Sequence, residues 1–239
     1  MFSTKHSNIE PSLHEKGQRL SGWEIRLVAL LSVIAGMVDL IGFFTLGNIF
    51  TAHITGNLVL VSATLLREVN PAQALAIPTF FIAVGATWLL ARASGLHGKM
   101  LARLLLAVQF VLLAAVCAFS LVANASANQR SLTAGLIAMI AVCAMASQHA
   151  LLRLAISNAP STAVMTGNVT NAILALLDTL SQGTFSIQGA AERQLARSLI
   201  LLLGFFIGCV TAALAVFWFQ DWAWALPLAL VGVAILLAR

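Results

Sequence analysis

The chain has 239 residues, of which 60% are hydrophobic and 9% charged, with a mean hydropathy of +0.97 and a formal net charge of +5. A water-soluble domain carries roughly 25% charged residues, so this composition excludes a domain that keeps its whole surface in water. No basic cluster with interleaved aromatics is present, which argues against nucleic-acid binding, and the basic excess reads instead as loops held on the cytosolic side of a membrane.

Residues 1–22 (MFSTKHSNIEPSLHEKGQRLSG) are polar, without the apolar stretch of a cleaved leader. They are expected to form a cytosolic tail ahead of a single transmembrane domain, 23–239. Apolar runs long enough to span a bilayer as helices follow at about Trp23–Leu46, Ala74–Leu90, Leu101–Ala123, Leu132–Ile156, Ser198–Phe219 and Trp222–Ala238. Two shorter segments, Thr51–Leu66 and Thr162–Leu180, lie between them. Asn70-Pro71, Ser94-Gly95, Asn124–Arg130 and Asn158-Ala159-Pro160 break the runs with turn residues. Trp218, Trp222 and Trp224 crowd the last turn, as interfacial aromatics do. The fold class is an all-α polytopic membrane bundle.

The two short segments are related. TAHITGNLVLVSATLL (51–66) and TAVMTGNVTNAILALL (162–177) match at seven of sixteen positions, at an offset of 111 residues. The chain is therefore expected to hold two repeats, about 23–123 and 132–239. If both short segments crossed the bilayer there would be eight spans. If both are re-entrant there are six, and eleven of the thirteen basic residues then fall on the cytosolic side, leaving only Arg67 and Arg130 outside. The positive-inside rule favours six. Three crossings per repeat invert the second copy relative to the first, an arrangement common in transporters.

The stretch Ala35-Gly36-Met37-Val38-Asp39 with Phe43-Phe44, followed by Thr51-Ala-His-Ile-Thr-Gly-Asn57, resembles the first signature of the YoaK family. Gln148-His149-Ala150-Leu151-Leu152-Arg153 with Thr166-Gly167-Asn168 resembles the second, with His149 where the family usually has Asn. These are bacterial multi-pass membrane proteins of a class without assigned function. The resemblance covers nearly all of the chain after the tail. It implies an inner-membrane location and no particular reaction.

Asp39 is the one carboxylate embedded in an apolar run; the other seven acids lie in the tail, in loops or at helix ends. A charged Asp at the centre of a spanning helix costs about 2.5–3.5 kcal/mol on insertion scales, so a partner, a proton or a substrate is expected beside it. Against this stands a neutral Asp that only bonds a neighbouring helix. Arg153 is a candidate partner, since at the repeat offset it matches Gly42, less than a turn from Asp39; it also lies near a helix end, from which it could snorkel to the surface. His53 and His149 are candidate proton carriers, although the repeat mate of His53 is Val164.

Thr55, Gly56 and Asn57, with Thr166, Gly167 and Asn168, offer small and polar groups either to a ligand or to tight helix packing. Gln148 joins them from the second signature. The three cysteines stand singly in apolar runs, and no metal-binding or cofactor motif is present. Walker A, HExxH and GxSxG signatures are absent, and Asp178, at a segment end, makes a poor second carboxylate for an intramembrane protease. The expected function is a non-enzymatic secondary transporter or permease for a small polar solute, coupled to protons. The alternative is a non-transporting assembly or regulatory protein whose Thr-Gly-Asn motifs serve packing. Nothing in the sequence indicates an oligomer.

Overall fold

The computed structural model describes residues 20–63, 70–156, 159, 162, 165–180 and 185–239. These residues form helices α1 (Gly22–Thr45), α2 (Ile54–Ser62), α3 (Pro71–Ser94), α4 (Gly98–Ala123), α5 (Leu132–Leu154), α6 (Met165–Leu180), α7 (Phe185–Phe219) and α8 (Ala225–Leu237), with a 3-10 turn at Gln220–Trp224 between the last two. Among the described residues, five stretches are long and apolar enough to cross a membrane: α1, α3, α4, α5 and Glu192–Leu237. The last is 46 residues long and is bent by the 3-10 turn. The tail through residue 19 lies outside the described residues.

Most helix ends follow local chemistry. Glu24 reaches back to the Ser21 backbone N–H (2.6 Å) at the start of α1. Asn70 caps α3 by accepting from the Ala72 N–H (3.0 Å), with Pro71 in the first turn. Ser131 caps α5 in the same way through Ala134 (3.1 Å). Gly95 and Asn124 close α3 and α4 in the left-handed conformation. Two boundaries differ from the sequence expectation. Helix α7 starts at Phe185 rather than near Ser198, because Glu192, Arg193 and Arg197 are polar but good helix formers. Residues 51–53 are not helical, so the first short segment begins its helix only at Ile54.

Helices α1 and α5 are the most buried of the candidate spans. The pairing between elements exchanges the two halves of the chain: α1 packs chiefly on α7, and α5 on α3 and α4. At the α1–α7 crossing Gly36 lies against the Phe205 carbonyl and the Cys209 amide, while Gly208 lies against the Val33 carbonyl. Gly204 completes the contact, 3.2 Å from the Ala29 carbonyl to the point a Cβ would occupy. Small residues let helix backbones approach where lipid gives no hydrophobic drive. Ser32 Oγ donates to the Leu201 carbonyl (2.6 Å) and Cys209 Sγ to the Gly36 carbonyl (3.6 Å) across the same seam.

The helix ends gather into two layers. Lys99 Nζ donates to the terminal Arg239 carbonyl (3.0 Å) and sits over the Trp23 ring, joining the starts of α1 and α4 to the end of α8. At the opposite end, Asn70 and Gln73 donate to the carbonyls of Gly47 (3.4 Å) and Asn48 (2.9 Å). There too the Asp221 carboxylate accepts from Ser126 N–H (3.1 Å) and Oγ (2.8 Å). Gly47 turns the chain at φ +84°, pressed against the Gln129 carbonyl and the Asn70 amide, where any side chain would collide.

Candidate functional site

Asp39 is 4% exposed and sits on α1 about a turn and a half before its end. After Thr45 the chain turns at Gly47 and Asn48 and comes back along the helix, so that residues 51–53 lie beside Asp39. One carboxylate oxygen, Oδ1, accepts from the backbone N–H groups of Thr51 (2.8 Å), Ala52 (2.6 Å) and His53 (3.3 Å), and from Thr51 Oγ1 (3.4 Å). The other oxygen, Oδ2, meets His53 Nδ1. Successive N–H groups converging on an anion form a nest, and this one lies at the entry to α2. Asp39 thus lies inside the bundle, beside the loop that leads into the first Thr-Gly-Asn helix.

His53 is about a fifth exposed, and its ring stands edge-on to Phe205 of α7 (centroids 5.0 Å). His149, on α5, reaches the same loop from the other half of the chain: its Nε2–H donates to the Ala52 carbonyl (3.1 Å), and its ring lies near Phe80 of α3 (5.8 Å). Both histidines singled out in the sequence therefore touch the Asp39 loop. Arg153 does not join them. It is exposed at the end of α5 and makes no ion pair with Asp39, whose carboxylate is occupied by the nest and the imidazole.

Asn57 is fully buried and spends its amide on one backbone unit, accepting from the Phe50 N–H (2.9 Å) and donating to the Phe50 carbonyl (2.6 Å). It closes the loop as a strand partner would. Gly56 packs against the Phe50 ring, leaving no room for a side chain, and Thr55 is exposed. The second motif repeats the exposure pattern, with Thr166 exposed, Gly167 partly buried and Asn168 buried. Thr162 is fully buried like its mate Thr51, but its hydroxyl finds no hydrogen-bond partner among the described residues. At the repeat offset Ala150 stands where Asp39 would be. The site is thus built in one half only. Among the described residues α2 packs on α3, and α6 on α7.

Gln148 lies next to His149 but faces elsewhere, donating to the Leu31 carbonyl (3.0 Å) and accepting from Gln109 Nε2 (2.8 Å). Gln109 is fully buried in α4, and its Oε1 has no hydrogen-bond partner among the described residues. Sequence reasoning passed over Gln109, although a polar side chain amid the apolar α4 run is the same kind of signal that drew attention to Asp39. Phe205 and Phe80 were also missed, because aromatics in apolar spans carry no signal by themselves.

With this geometry in place, comparison with known proteins gives two matches. A stretch of 44 residues is 43% identical to the UPF0700 transmembrane protein YoaK of Bacillus subtilis (strain 168), which covers 18% of this chain and 20% of that protein. The chain thus spans about a fifth of the length of the curated relative it matches. No solved structure matches. The family described as "Protein of unknown function (DUF1275)" matches residues 27–238. With its apolar spans packed into one helical bundle, the chain is a multi-pass membrane protein and belongs to the DUF1275 family.

Proposed function

We propose that this protein is a secondary transporter for a small polar solute, coupled to protons through Asp39 and His53. The observation that carries this reading is the Asp39 nest. A buried carboxylate holds three consecutive backbone N–H groups of a returning loop and an imidazole on its remaining oxygen. A proton arriving on Asp39 would discharge the anion on which that loop converges. Charge-assisted hydrogen bonds are roughly twice as strong as neutral ones, so protonation would loosen the loop, and with it α2. Thr55 at the start of α2 is exposed and free to meet a solute; Asn57 holds the loop's shape instead.

The architecture supports a six-span inverted arrangement. The chain turns back at Gly47 and α3 restarts beside it, so α2 leaves from and returns to one layer of helix ends. Helix α6 lies between the end of α5 and the start of α7, which belong to the opposite layer. The layer of Trp23, Lys99 and Arg239 collects most of the basic residues and would be cytosolic, placing the N-terminus there. The exchange of partners, α1 on α7 and α5 on α3, is what a two-fold relation between two repeats would give. A bacterial inner-membrane location fits the family.

Purified protein in liposomes, loaded with a trapped pH dye and challenged in turn with amino acids, organic acids and sugars, tests the proposal. Solute-dependent proton flux in the wild type, lost in a folded Asp39→Asn variant, is the expected result. Folded wild-type protein that moves neither protons nor solute would favour the non-transporting reading, in which the nest is a structural clasp.

A further inference from the structure

The sequence Phe80-Phe81-Ile82 on α3 recurs as Phe205-Phe206-Ile207 on α7, which places Thr79 and Ala83 in register with Gly204 and Gly208. On the partner helices Ser147 of α5 stands at the repeat position of Gly36 on α1. The three glycines that let α1 and α7 touch backbone to backbone are thus replaced, in the α5–α3 pair, by Thr79, Ala83 and Ser147. Thr79, Ala83 and Ser147 instead line a void. It has a volume of about 350 Å³ and is bounded by Thr79, Ala83, Thr87, Cys143, Ser147 and, from α4, Leu112.

Its walls are chemically specific. Thr79 Oγ1 donates to Met139 Sδ (3.2 Å), Thr87 Oγ1 to the Ala83 carbonyl (2.7 Å) and Ser147 Oγ to the Ala144 carbonyl (2.8 Å). Each hydroxyl hydrogen is turned into the protein, so the void presents no free hydroxyl donor and favours hydrocarbon over a polar solute. Helices α3 and α4, though consecutive, barely touch. The gap between them opens among side chains that face the bilayer, including Phe81 (72% exposed), Ile82 (73%) and Val111 (65%). An engineered apolar cavity of about 150 Å³ takes one benzene ring, so this one has room for on the order of ten carbons.

We propose that the cavity between α3, α4 and α5 binds the hydrocarbon tail of a single membrane lipid, entering sideways through the α3–α4 gap. A seated tail would supply dispersion contacts to the walls of the void. The wall residue Thr79 adjoins Phe80 in the chain, whose ring lies near His149, the side chain by which α5 reaches the Asp39 loop. The cavity is separate from the Asp39 nest and does not depend on the transport reading.

The full chain in phospholipid nanodiscs containing a trace of phosphatidylethanolamine with a diazirine midway along one tail tests this. After illumination, adducts mapped by mass spectrometry should concentrate on the cavity walls of α3, α4 and α5. Ala86→Phe, at the mouth, should cut them at least fivefold and leave adducts at lipid-facing Leu214 of α7 unchanged. Ile82→Trp is the second blocking variant, for use if the first does not fold, and thermal unfolding reports folding in both. Adducts spread evenly over all lipid-facing helices, or cavity adducts that survive the blocking variants, would mean ordinary surrounding lipid and overturn the proposal. Asp39→Asn should leave the labelling as it is.

Discussion

Asp39 and His53, fourteen residues apart in the chain, face each other in the bundle interior, carboxylate Oδ2 against imidazole Nδ1. With Asp39 ionised, the hydrogen between them belongs to His53 Nδ1, which leaves Nε2 of a neutral ring as an acceptor on its far side. The pair is therefore directional. In the transport reading, a proton taken at Nε2 would charge the imidazole and release the Nδ1 hydrogen toward Asp39.

The first prediction separates the clasp from the charge. Asp39→Asn keeps an oxygen for the three loop N–H groups but gives up their charge assistance, and should cost about 1–2 kcal/mol. Asp39→Leu strands those N–H groups in an apolar interior, where each unmade bond costs about 1–3 kcal/mol. It should lose about 3 kcal/mol or more, read as a fall in the thermal midpoint in a fixed detergent. Equal stability of the two variants would show that the nest contributes nothing.

Within the first Thr-Gly-Asn motif, stability and function should divide between residues. Asn57→Ala removes both bonds to Phe50 from a fully buried position and should cost about 2–3 kcal/mol. Asn57→Asp should be no better, because a carboxylate cannot donate to the Phe50 carbonyl. Thr55→Ala, on an exposed hydroxyl, should stay within about 0.5 kcal/mol while weakening any solute-dependent flux. Thermal unfolding alongside the liposome assay tests both halves.

These motif residues also show how far sequence reasoning reaches. Caps at Asn70 and Ser131, stops at Gly95 and Asn124, and the helical class itself follow from local rules, so they were legible. Asp39 was legible as an anomaly because burying a charge is costly wherever it occurs. Its partners were not, since the backbone N–H groups of residues 51–53 leave no trace in residue identity. Arg153 was offered on depth alone, and the nest had already satisfied the carboxylate. Gly36 and Gly208 belong to a seam between segments more than 170 residues apart, which no local pattern announces.

That seam carries the third prediction. A Cβ at Gly208 would strike the Val33 backbone, and one at Gly36 the Phe205 backbone, neither of which can rotate away. Gly208→Val should therefore cost about 1–3 kcal/mol or more by prising α7 from α1. Gly85, which has open space around it on α3, should accept Val at little cost. Similar losses at Gly85 and Gly208 would contradict the close crossing.

The fourth prediction fixes orientation. A cysteine introduced at Gly95, in the exposed turn between α3 and α4, should resist an impermeant thiol reagent applied outside intact cells and react after permeabilisation. One introduced at Asn128, in the opposite layer, should label from outside. Labelling in the reverse sense would refute a cytosolic N-terminus.

The Asp39 nest and the α1–α7 seam differ sharply in the span of chain they join. The carboxylate finds its partners 12 to 14 residues downstream, whereas Ser32 waits for Leu201, 169 residues later. At roughly 5–20 residues per second of synthesis, that gap is on the order of 10 to 30 s. During this interval α1 would stand in the bilayer with its clasp closed and its Gly36 face uncovered. The loop can neutralise the costliest group of the first half before its cover exists, so the nascent helix need not carry an unsolvated charge while it waits. A variant that weakens the clasp would expose α1 during this window and should reduce membrane yield more than the stability of the finished bundle.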